Sequence, residues 1–218
     1  MDKLIQGYLR FREEGWAAER DRWARLMQGQ SPRIMVIACS DSRCDPATIF
    51  DTLPGEVFAV RNIANLVPPF EPSGRHGVSA AIEFAVTQLQ VPQILVMGHG
   101  SCGGVMASLS RRFEQAEVGE GAFIGNWIEL LDEARDRVLA RCHDEVDCQH
   151  ELELETVRTS LANLRTFPFV ADAEQAGRLA LYGAHFAIAE GRLYMLDTAT
   201  DRFLAVTPAS PSFERRTA

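Results

Sequence analysis

The sequence predicts an α/β protein with a mostly parallel β-sheet, and two patterns support this prediction. Three short apolar runs, at residues 33–38, 56–60 and 93–97, are typical of strands buried on both faces. Between the second and third runs, apolar residues recur at helical spacing over 78–89, and Pro92 follows as a stop signal. A strand, a helix and a strand at these distances indicate a crossover unit of a parallel sheet.

Further elements are predicted on both sides of this unit. Residues 1–28 predict one or two amphipathic helices, whose apolar stripe suits packing on the chain's own domain and on a partner subunit equally well. Residues 121–165 have a helical pattern. Residues 178–189 and 192–197 predict two strands joined by a tight turn, which places an antiparallel strand at the edge of the sheet. Residues 208–218 are polar and contain proline, so we expect a loose tail there.

Composition and charge exclude several classes of protein. The chain has 218 residues, which suits a single domain over 1–218. Its formal net charge of −8 argues against non-specific nucleic-acid binding, which needs clustered Lys and Arg. No apolar run is long enough to cross a membrane, and the first residues lack the features of a signal peptide. We therefore expect a cytoplasmic protein with no membrane or nucleic-acid partner.

The five cysteines are the first indication of chemistry. An odd number in a chain with no sign of secretion argues against a disulfide framework and favours metal binding, catalysis or burial.

Two polar segments follow predicted strands. Cys-Ser-Asp-Ser-Arg at 39–43 follows the first apolar run, and His-Gly-Ser-Cys at 99–102 follows the third. Ligands of parallel sheets bind beyond the carboxyl ends of the strands, so neighbouring strands would bring the two segments together. Cys39, His99 and Cys102 then supply three ligands suited to zinc and leave a fourth position open for water, as in catalytic zinc sites.

Asp41 and Arg43 lie two residues apart and would point the same way in an extended stretch. A guanidinium beside a carboxylate keeps it ionised and oriented. The pair could be a surface ion pair of little energetic value. Alternatively, Arg43 holds Asp41 where it accepts a hydrogen bond from a zinc-bound water, and keeps Asp41 from becoming a fourth ligand.

These motifs resemble the β-class carbonic anhydrases. The similarity rests on Cys-Ser-Asp-Ser-Arg at 39–43, followed about sixty residues later by His-x-x-Cys-Gly-Gly at 99–104. Residues 54–56, 60–65 and 67–69 agree with the family, as do 166–169 and 177–179, so the resemblance runs from about residue 30 to 197.

The resemblance implies a function and a site. Cys39, His99 and Cys102 would hold one Zn²⁺ per subunit, and zinc-bound hydroxide would hydrate carbon dioxide reversibly to bicarbonate and a proton. Two thiolates donate more charge than imidazoles, so we expect a weakly acidic zinc water and best activity at alkaline pH. The family also implies a mostly parallel sheet flanked by helices and a homodimer or higher even oligomer with active sites at the subunit interface. This favours packing of residues 1–28 on the partner.

Members of the family fall into two groups, and the sequence is closer to the one with an open, water-bearing zinc. In the other group Asp41 would be a conditional fourth ligand, and a Trp-Arg-Tyr trio binds bicarbonate as an inhibitor. Here the three positions are Val36, Arg61 and Phe186, so only the arginine is kept. Substrate-binding positions of the first group match Gln30, Phe58, Ile63, Phe84 and Gly103.

Several alternatives remain. The same zinc scaffold could hydrolyse carbonyl sulfide or carbon disulfide, or the chain could be a zinc protein without catalysis. A redox protein would need a Cys-x-x-Cys pair, which is absent.

Cys44 is expected to be buried filler. Irregular spacing argues against a second metal site built from Cys142, His143, Cys148 and His150. His76 and His185 are candidates for moving protons to solvent, although an ordinary surface or core role is favoured for each.

Overall fold

The computed structural model describes residues 1–208 and 210 of the chain. Within these residues, six strands form one sheet: β1 Ile34–Cys39, β2 Val57–Asn62, β3 Gln93–His99, β4 Ala180–Ala187, β5 Arg192–Asp197 and β6 Arg202–Ala205. Their order is β2-β1-β3-β4-β5-β6, with the first four parallel and the last two antiparallel. The predicted fold class and its antiparallel C-terminal edge are confirmed. Of the predicted loose tail, only Pro208 and Ser210 lie within the described residues.

Helices flank this sheet. Their bounds in the described residues are α1 Asp2–Arg10, α2 Trp16–Ala18, α3 Arg20–Leu26, α4 Pro46–Ile49, α5 Gly77–Glu83, α6 Gly103–Leu109, α7 Ala122–Ile128, α8 Asp132–Leu139, α9 Glu145–Leu164 and α10 Pro168–Gln175. The crossover helix predicted between the second and third strands is α5, extended by a π-helical turn over Phe84–Gln88. Two short 3-10 turns cover Ile63–Asn65 and Glu129–Leu131.

The helical pattern predicted over 121–165 is interrupted between α8 and α9. Asp144 caps α9, because its carboxylate accepts hydrogen bonds from the backbone N–H groups of Val146 and Asp147. Cys142 and Cys148, on either side of this cap, form a disulfide. The expectation that the cysteines serve only metal binding, catalysis or burial is therefore wrong for this pair. The two Cα atoms are 5.5 Å apart, a proximity that depends on how the loop turns back.

The parallel strands form the centre of the core. In β1 every residue after Ile34 is buried, and alternate side chains face opposite sides of the sheet. Met35 and Ile37 join a cluster beneath α5, α9 and α10, while Val36 and Ala38 join a second cluster with Leu95 and Met97. Burial on both faces explains why these strands are recognisable as continuous apolar runs.

Helix α9 packs against the sheet at two strand residues that lack a side chain. A Cβ atom at Gly98 of β3 would lie 2.9 Å from Val157 Cγ2, and one at Gly183 of β4 would lie 2.8 Å from Val157 Cγ1. Both distances are shorter than any ordinary contact, so glycine is needed at both positions. The close approach brings the first half of α9 to the carboxyl ends of β3 and β4.

The N-terminal helices differ from the rest of the chain in burial. None of the residues in α1, α2 or α3 is buried. Several are large and apolar, including Leu4 at 73% and Tyr8 at 56% exposure. A solvent-exposed apolar stripe of this kind commonly marks an interface. Among the helices in the described part of the chain, none combines the length and apolar character needed to cross a bilayer.

Candidate metal centre

Cys39, His99 and Cys102 meet at the carboxyl ends of two neighbouring strands. Cys39 is the last residue of β1, His99 is the last residue of β3, and Cys102 immediately precedes α6. Since β1 and β3 are adjacent and parallel, these ends lie side by side. The three ligand atoms lie within 4.8 Å of one another, and each residue is at most 4% exposed. Both strands end later than predicted, β1 by one residue and β3 by two, so Cys39 and His99 lie on the sheet instead of following it.

The donor set fits a zinc ion. The Sγ atoms of Cys39 and Cys102 are 4.0 Å apart. Two sulfurs at the usual zinc–sulfur distance of about 2.3 Å from one tetrahedral ion lie roughly 3.8 Å apart. His99 Nε2 is buried and has no hydrogen-bond partner among the described residues. A buried nitrogen without a partner is costly, and a metal ion at this place would remove that cost.

The other nitrogen of His99 fixes the orientation of the ring. His99 Nδ1 lies 2.9 Å from the carbonyl oxygen of Gly100, to which it can donate. This contact selects the tautomer in which Nε2 carries the lone pair, as zinc ligands require. Thus the imidazole is already set to bind a metal.

The two thiols interact directly. Their hydrogen bond lowers the pKa of Cys39 and raises the pKa of Cys102, because a proton held between the sulfurs stabilises the Cys39 thiolate. Cys44 Sγ lies 3.7 Å from the carbonyl oxygen of Cys39 and is fully buried, which agrees with the expectation of filler. Cys44 is not part of the three-residue ligand group.

Asp41 and Arg43 form a two-contact ion pair next to the ligands. Arg43 Nε donates to Asp41 Oδ1 at 2.9 Å, and Arg43 Nη2 donates to Asp41 Oδ2 at 2.7 Å. The backbone N–H of Arg43 also donates to Asp41 Oδ1, and Arg43 Nη2 donates to the carbonyl oxygen of Ser101 at 3.0 Å. The Arg43 hydrogen bonds lower the pKa of Asp41 to about 2. The pair therefore links the segment after β1 to the loop between His99 and Cys102.

The local backbone around this pair is a turn, not the extended stretch that the spacing suggested. The N–H of Cys44 donates to the carbonyl oxygen of Asp41 at 3.2 Å. The Asp41 side chain, bonded to the N–H two residues on, forms an Asx turn. The two side chains meet because the chain folds back.

Arg61 of β2 also hydrogen-bonds to residues 39–45, the segment that contains Asp41 and Arg43. Its guanidinium donates to the carbonyl oxygens of Cys39 at 2.9 Å and Asp41 at 2.6 Å, and to the carboxylate of Asp45 at 2.9 Å. The sequence resemblance drew attention to Arg61 only as one member of an inhibitor-binding trio. Its contacts identify a structural support for a metal ligand and for Asp41.

The predicted pocket residues are partly brought together. The rings of Phe58 and Phe84 are 5.9 Å apart between centroids, and Phe84 is 45% exposed. Ile63 packs over α6, since a Cβ atom at Gly104 would lie 2.7 Å from Ile63 Cγ2. At Gly103 a Cβ atom would contact nothing within 4 Å. Gln30 lies exposed in the segment between α3 and β1, so its place beside the substrate stays a prediction.

Sequence analysis did not predict the buried carboxylate that lies next to the metal ligands. Glu153 of α9 is 3% exposed, and its Oε1 accepts the backbone N–H of Cys102 at 3.0 Å. Its Oε2 lies 3.2 Å from Nε2 of His185, which is 1% exposed. A glutamate within a helix rich in charged residues carries no sequence signal of this role.

His76 is half-buried at the start of α5, and a proton-transfer role for it or His185 stays a prediction.

The residues of the inhibitor-binding trio are also located. Val36 is 1% exposed within the sheet, and Phe186 of β4 is the register partner of His99. Neither side chain can donate or accept a hydrogen bond.

Comparison with known proteins places this site in a family. The model of the carbonic anhydrase family matches residues 34–193. Beta carbonic anhydrase 3 of Arabidopsis thaliana is 35% identical over 212 residues, covering 95% of this chain and 81% of that protein. Beta carbonic anhydrase 6, mitochondrial, from the same plant is 33% identical, covering 93% of this chain and 69% of that protein.

Solved structures show the same similarity. The β-carbonic anhydrase CcaA superimposes with a TM-score of 0.86 at 32% identity, covering 96% of this chain and 93% of that one. A structure of the two tetrameric β-carbonic anhydrases of Sordaria macrospora superimposes with a TM-score of 0.76 at 28% identity, covering 89% of this chain and 95% of that one.

Proposed function

Because the chain belongs to the β-carbonic anhydrase family, we propose that it hydrates carbon dioxide reversibly at a zinc held by Cys39, His99 and Cys102. The observation that carries the proposal is the meeting of these three ligand atoms within 4.8 Å, beside an aspartate held by an arginine. Zinc supplies Lewis acidity, which lowers the pKa of a water molecule and makes it nucleophilic near neutral pH.

The task of Asp41 is to orient that water. A carboxylate with a pKa near 2 is fully ionised at neutral pH and accepts a hydrogen bond. Both of its oxygens are already bonded to Arg43, so the side chain has one preferred position. An acceptor at a fixed position directs the water's O–H bond and leaves a lone pair for the substrate carbon.

We further propose that Asp41 stays off the metal. Ligation by Asp41 would require a carboxylate oxygen to leave Arg43, breaking charge-assisted hydrogen bonds of 2.9 and 2.7 Å. Arg43 is itself tied to the carbonyl oxygen of Ser101, so it cannot easily follow Asp41. X-ray absorption of the zinc protein at neutral pH should show two sulfurs, one nitrogen and one oxygen. A crystal structure at the same pH in which that oxygen belongs to Asp41 would refute the proposal.

The substrate is small and apolar, and the apolar wall suits it. We propose that Phe58, Ile63 and Phe84 contribute to that wall. The rings of Phe58 and Phe84 are 5.9 Å apart, and Gly103, next to Cys102, leaves open space where a side chain would be. Gln30 is proposed as the amide donor beside the substrate. Since Gln30 is exposed in its own chain, this role suits an active site completed at a subunit interface.

We propose that the protein is a homodimer or a higher even oligomer, located in the cytoplasm, with residues 1–218 forming one domain. The exposed apolar side chains of α1 support association of this kind. The tetrameric relatives from Sordaria macrospora support it as well.

The test is stopped-flow carbon dioxide hydration by the zinc-loaded protein, with metal analysis on the same sample. We expect activity in the wild type and a fall of about 10–100-fold in Asp41→Ala at unchanged zinc content. Asp172→Ala, an exposed aspartate of α10, is the matched control and should keep full activity. A fully zinc-loaded wild type without activity would overturn the function. Faster turnover of carbonyl sulfide or carbon disulfide would favour hydrolysis of those substrates instead.

A further inference from the structure

A second group of metal-ligating side chains lies outside the Cys-His-Cys centre. His150 and Glu153 stand one turn apart on α9, and His185 faces them from β4. His185 Nε2 is 3.2 Å and His150 Nδ1 is 3.9 Å from the same carboxylate oxygen, Glu153 Oε2. One ligand atom from each residue falls within 4.8 Å of the other two. The two imidazole rings are 5.3 Å apart between centroids, in an edge-to-face arrangement.

The group combines buried ligands with access from solvent. Glu153 and His185 are 3% and 1% exposed, whereas the His150 side chain is 57% exposed. His150 and His185 line an open cavity of about 370 Å³. An ion could therefore reach the buried carboxylate through this cavity without unfolding of α9 or the sheet.

The distances suit a transition-metal ion. Two nitrogen or oxygen ligands at about 2.1 Å from a tetrahedral zinc ion lie roughly 3.4 Å apart. The distances from Glu153 Oε2 to His185 Nε2 and to His150 Nδ1, 3.2 and 3.9 Å, lie on either side of that value. Glu153 Oε1 accepts hydrogen bonds from the N–H of Cys102 and from Gln149 Nε2 at 3.1 Å, so Oε2, which faces both histidines, is the ligand atom.

A metal at this place would have to replace a proton on His185. Its Nε2 lies 3.2 Å from Glu153 Oε2, and because a carboxylate oxygen only accepts, Nε2 carries the ring proton in the metal-free protein. A cation would displace that proton and take the lone pair of Nε2. His185 Nδ1, which is buried and has no hydrogen-bond partner among the described residues, would then carry the ring proton.

We propose that His150, Glu153 and His185 form a second binding site for a divalent transition-metal ion of the zinc class. Its three protein ligands are His150 Nδ1, Glu153 Oε2 and His185 Nε2, and its fourth position faces the cavity. Two imidazoles and one carboxylate are a known zinc donor set with an open position. Glu153 also touches the Cys102 backbone, so the two sites share one helix-to-loop contact.

The test is a titration of protein that already holds one zinc per chain. Zn²⁺ is added in an isothermal titration calorimeter, and metal content is measured after dialysis. We expect one further equivalent in the wild type and a loss of about tenfold or more in affinity for His150→Ala. His150 is exposed, so this variant should fold. His143→Ala removes another exposed histidine near the start of α9 and should bind like the wild type.

The identity of the ligands can be read independently of activity. Co²⁺ added to the zinc-loaded protein should give weak visible bands without the intense ultraviolet bands of cobalt–thiolate bonds, because the site contains no sulfur. Absence of a second equivalent in the wild type would overturn the proposal. So would unchanged binding in His150→Ala, or an equal loss in His143→Ala. His185→Gln, checked for folding by its melting temperature, should also lose the second equivalent.

Discussion

Arg43 donates hydrogen bonds to both oxygens of the Asp41 carboxylate: Nε lies 2.9 Å from Oδ1, and Nη2 lies 2.7 Å from Oδ2. A planar guanidinium is the one side chain whose geometry allows this double contact. The same Nη2 donates to Ser101, so the pair is anchored to the loop that carries His99 and Cys102. The orientation of Asp41 therefore depends on two segments of chain that are 58 residues apart.

Replacing Arg43 tests this dependence. We expect Arg43→Lys to lower the rate of carbon dioxide hydration by about 10–100-fold, because an ammonium group cannot hold both carboxylate oxygens at once. Zinc content should be unchanged, since no ligand is altered. Arg137→Ala, which removes an arginine of similar exposure from α8, should have no effect. A lysine variant as active as the wild type would show that the restraint is not needed.

Two adjacent glycines provide a matched pair. A Cβ atom at Gly104 would lie 2.7 Å from Ile63 Cγ2 and 3.2 Å from the Cβ of Ala64, whereas one at Gly103 would contact nothing within 4 Å. We expect Gly104→Ala to cost about 1–3 kcal/mol of unfolding free energy by overpacking. Gly103→Ala should stay within about 0.5 kcal/mol of the wild type, as ordinary non-clashing substitutions do. Urea unfolding of both variants measures the difference, and equal stabilities would contradict the geometry.

The pH dependence of the unfolding free energy should reveal the contribution of the ion pair between His150 and Glu153. The Glu153 carboxylate raises the pKa of His150 above its ordinary value of 6.5. Charged and titratable groups close to His150 are Glu153, Glu151 and Asp147 on α9 and His185 on β4. The cavity that His150 lines is also lined by Arg158, Glu190, Tyr194, Asp201 and Arg202. A raised pKa in the folded state means that the charged pair stabilises the fold fully below pH 6.5. This contribution is lost as the pH rises through the folded-state pKa.

The measurement compares the wild type with His150→Gln by thermal unfolding at pH 6 and pH 9, in chelator-washed protein. We expect the variant to be less stable than the wild type at pH 6, with a smaller difference at pH 9. A proton NMR titration should give a pKa of His150 above 6.5 in the wild type and a lower one in Glu153→Gln. An unchanged pKa in that variant would show that Glu153 is not the cause.

The exposed stripe of α1 should control association. Leu4 and Tyr8 are one turn apart and are 73% and 56% exposed. We expect Leu4→Asp combined with Tyr8→Asp to shift the protein to a smaller oligomer in light scattering, because two charges would be buried at the interface. Gln6→Asp, on a different side of the same helix, should leave the mass unchanged. An unaltered mass in the double variant would exclude this stripe from the interface.

The parts of the structure that sequence analysis could predict are those with a regular pattern. The strands that end at Cys39 and His99 are buried on both faces, so their apolar runs are continuous and their polar ends are conspicuous. The motif spacing then indicated that these ends carry ligands. The C-terminal hairpin was predicted from two apolar runs around a Glu-Gly turn, and the register of β4 with β5 confirms it.

The features that escaped prediction depend on tertiary contacts. β6 is a half-exposed edge strand of four residues, too short for a clear alternation. Glu153 looks like any other charged residue of α9, and its importance follows only from the approach of that helix to Cys102. The pairing of Cys142 with Cys148 likewise depends on how the chain turns between α8 and α9. Such contacts leave no periodic trace in the sequence.

The lack of a side chain at Gly183 affects how a mutational scan of this protein should be interpreted. An alanine there would meet Val157 at 2.8 Å and Leu161 at 3.0 Å, and would push α9 outward. Glu153, on the same helix, would then withdraw from the N–H of Cys102. A survey scored by enzyme activity alone would class Gly183 with the catalytic residues, although its effect comes from packing against Val157 and Leu161. Scoring abundance in parallel would separate such spacing positions from the residues that perform the chemistry.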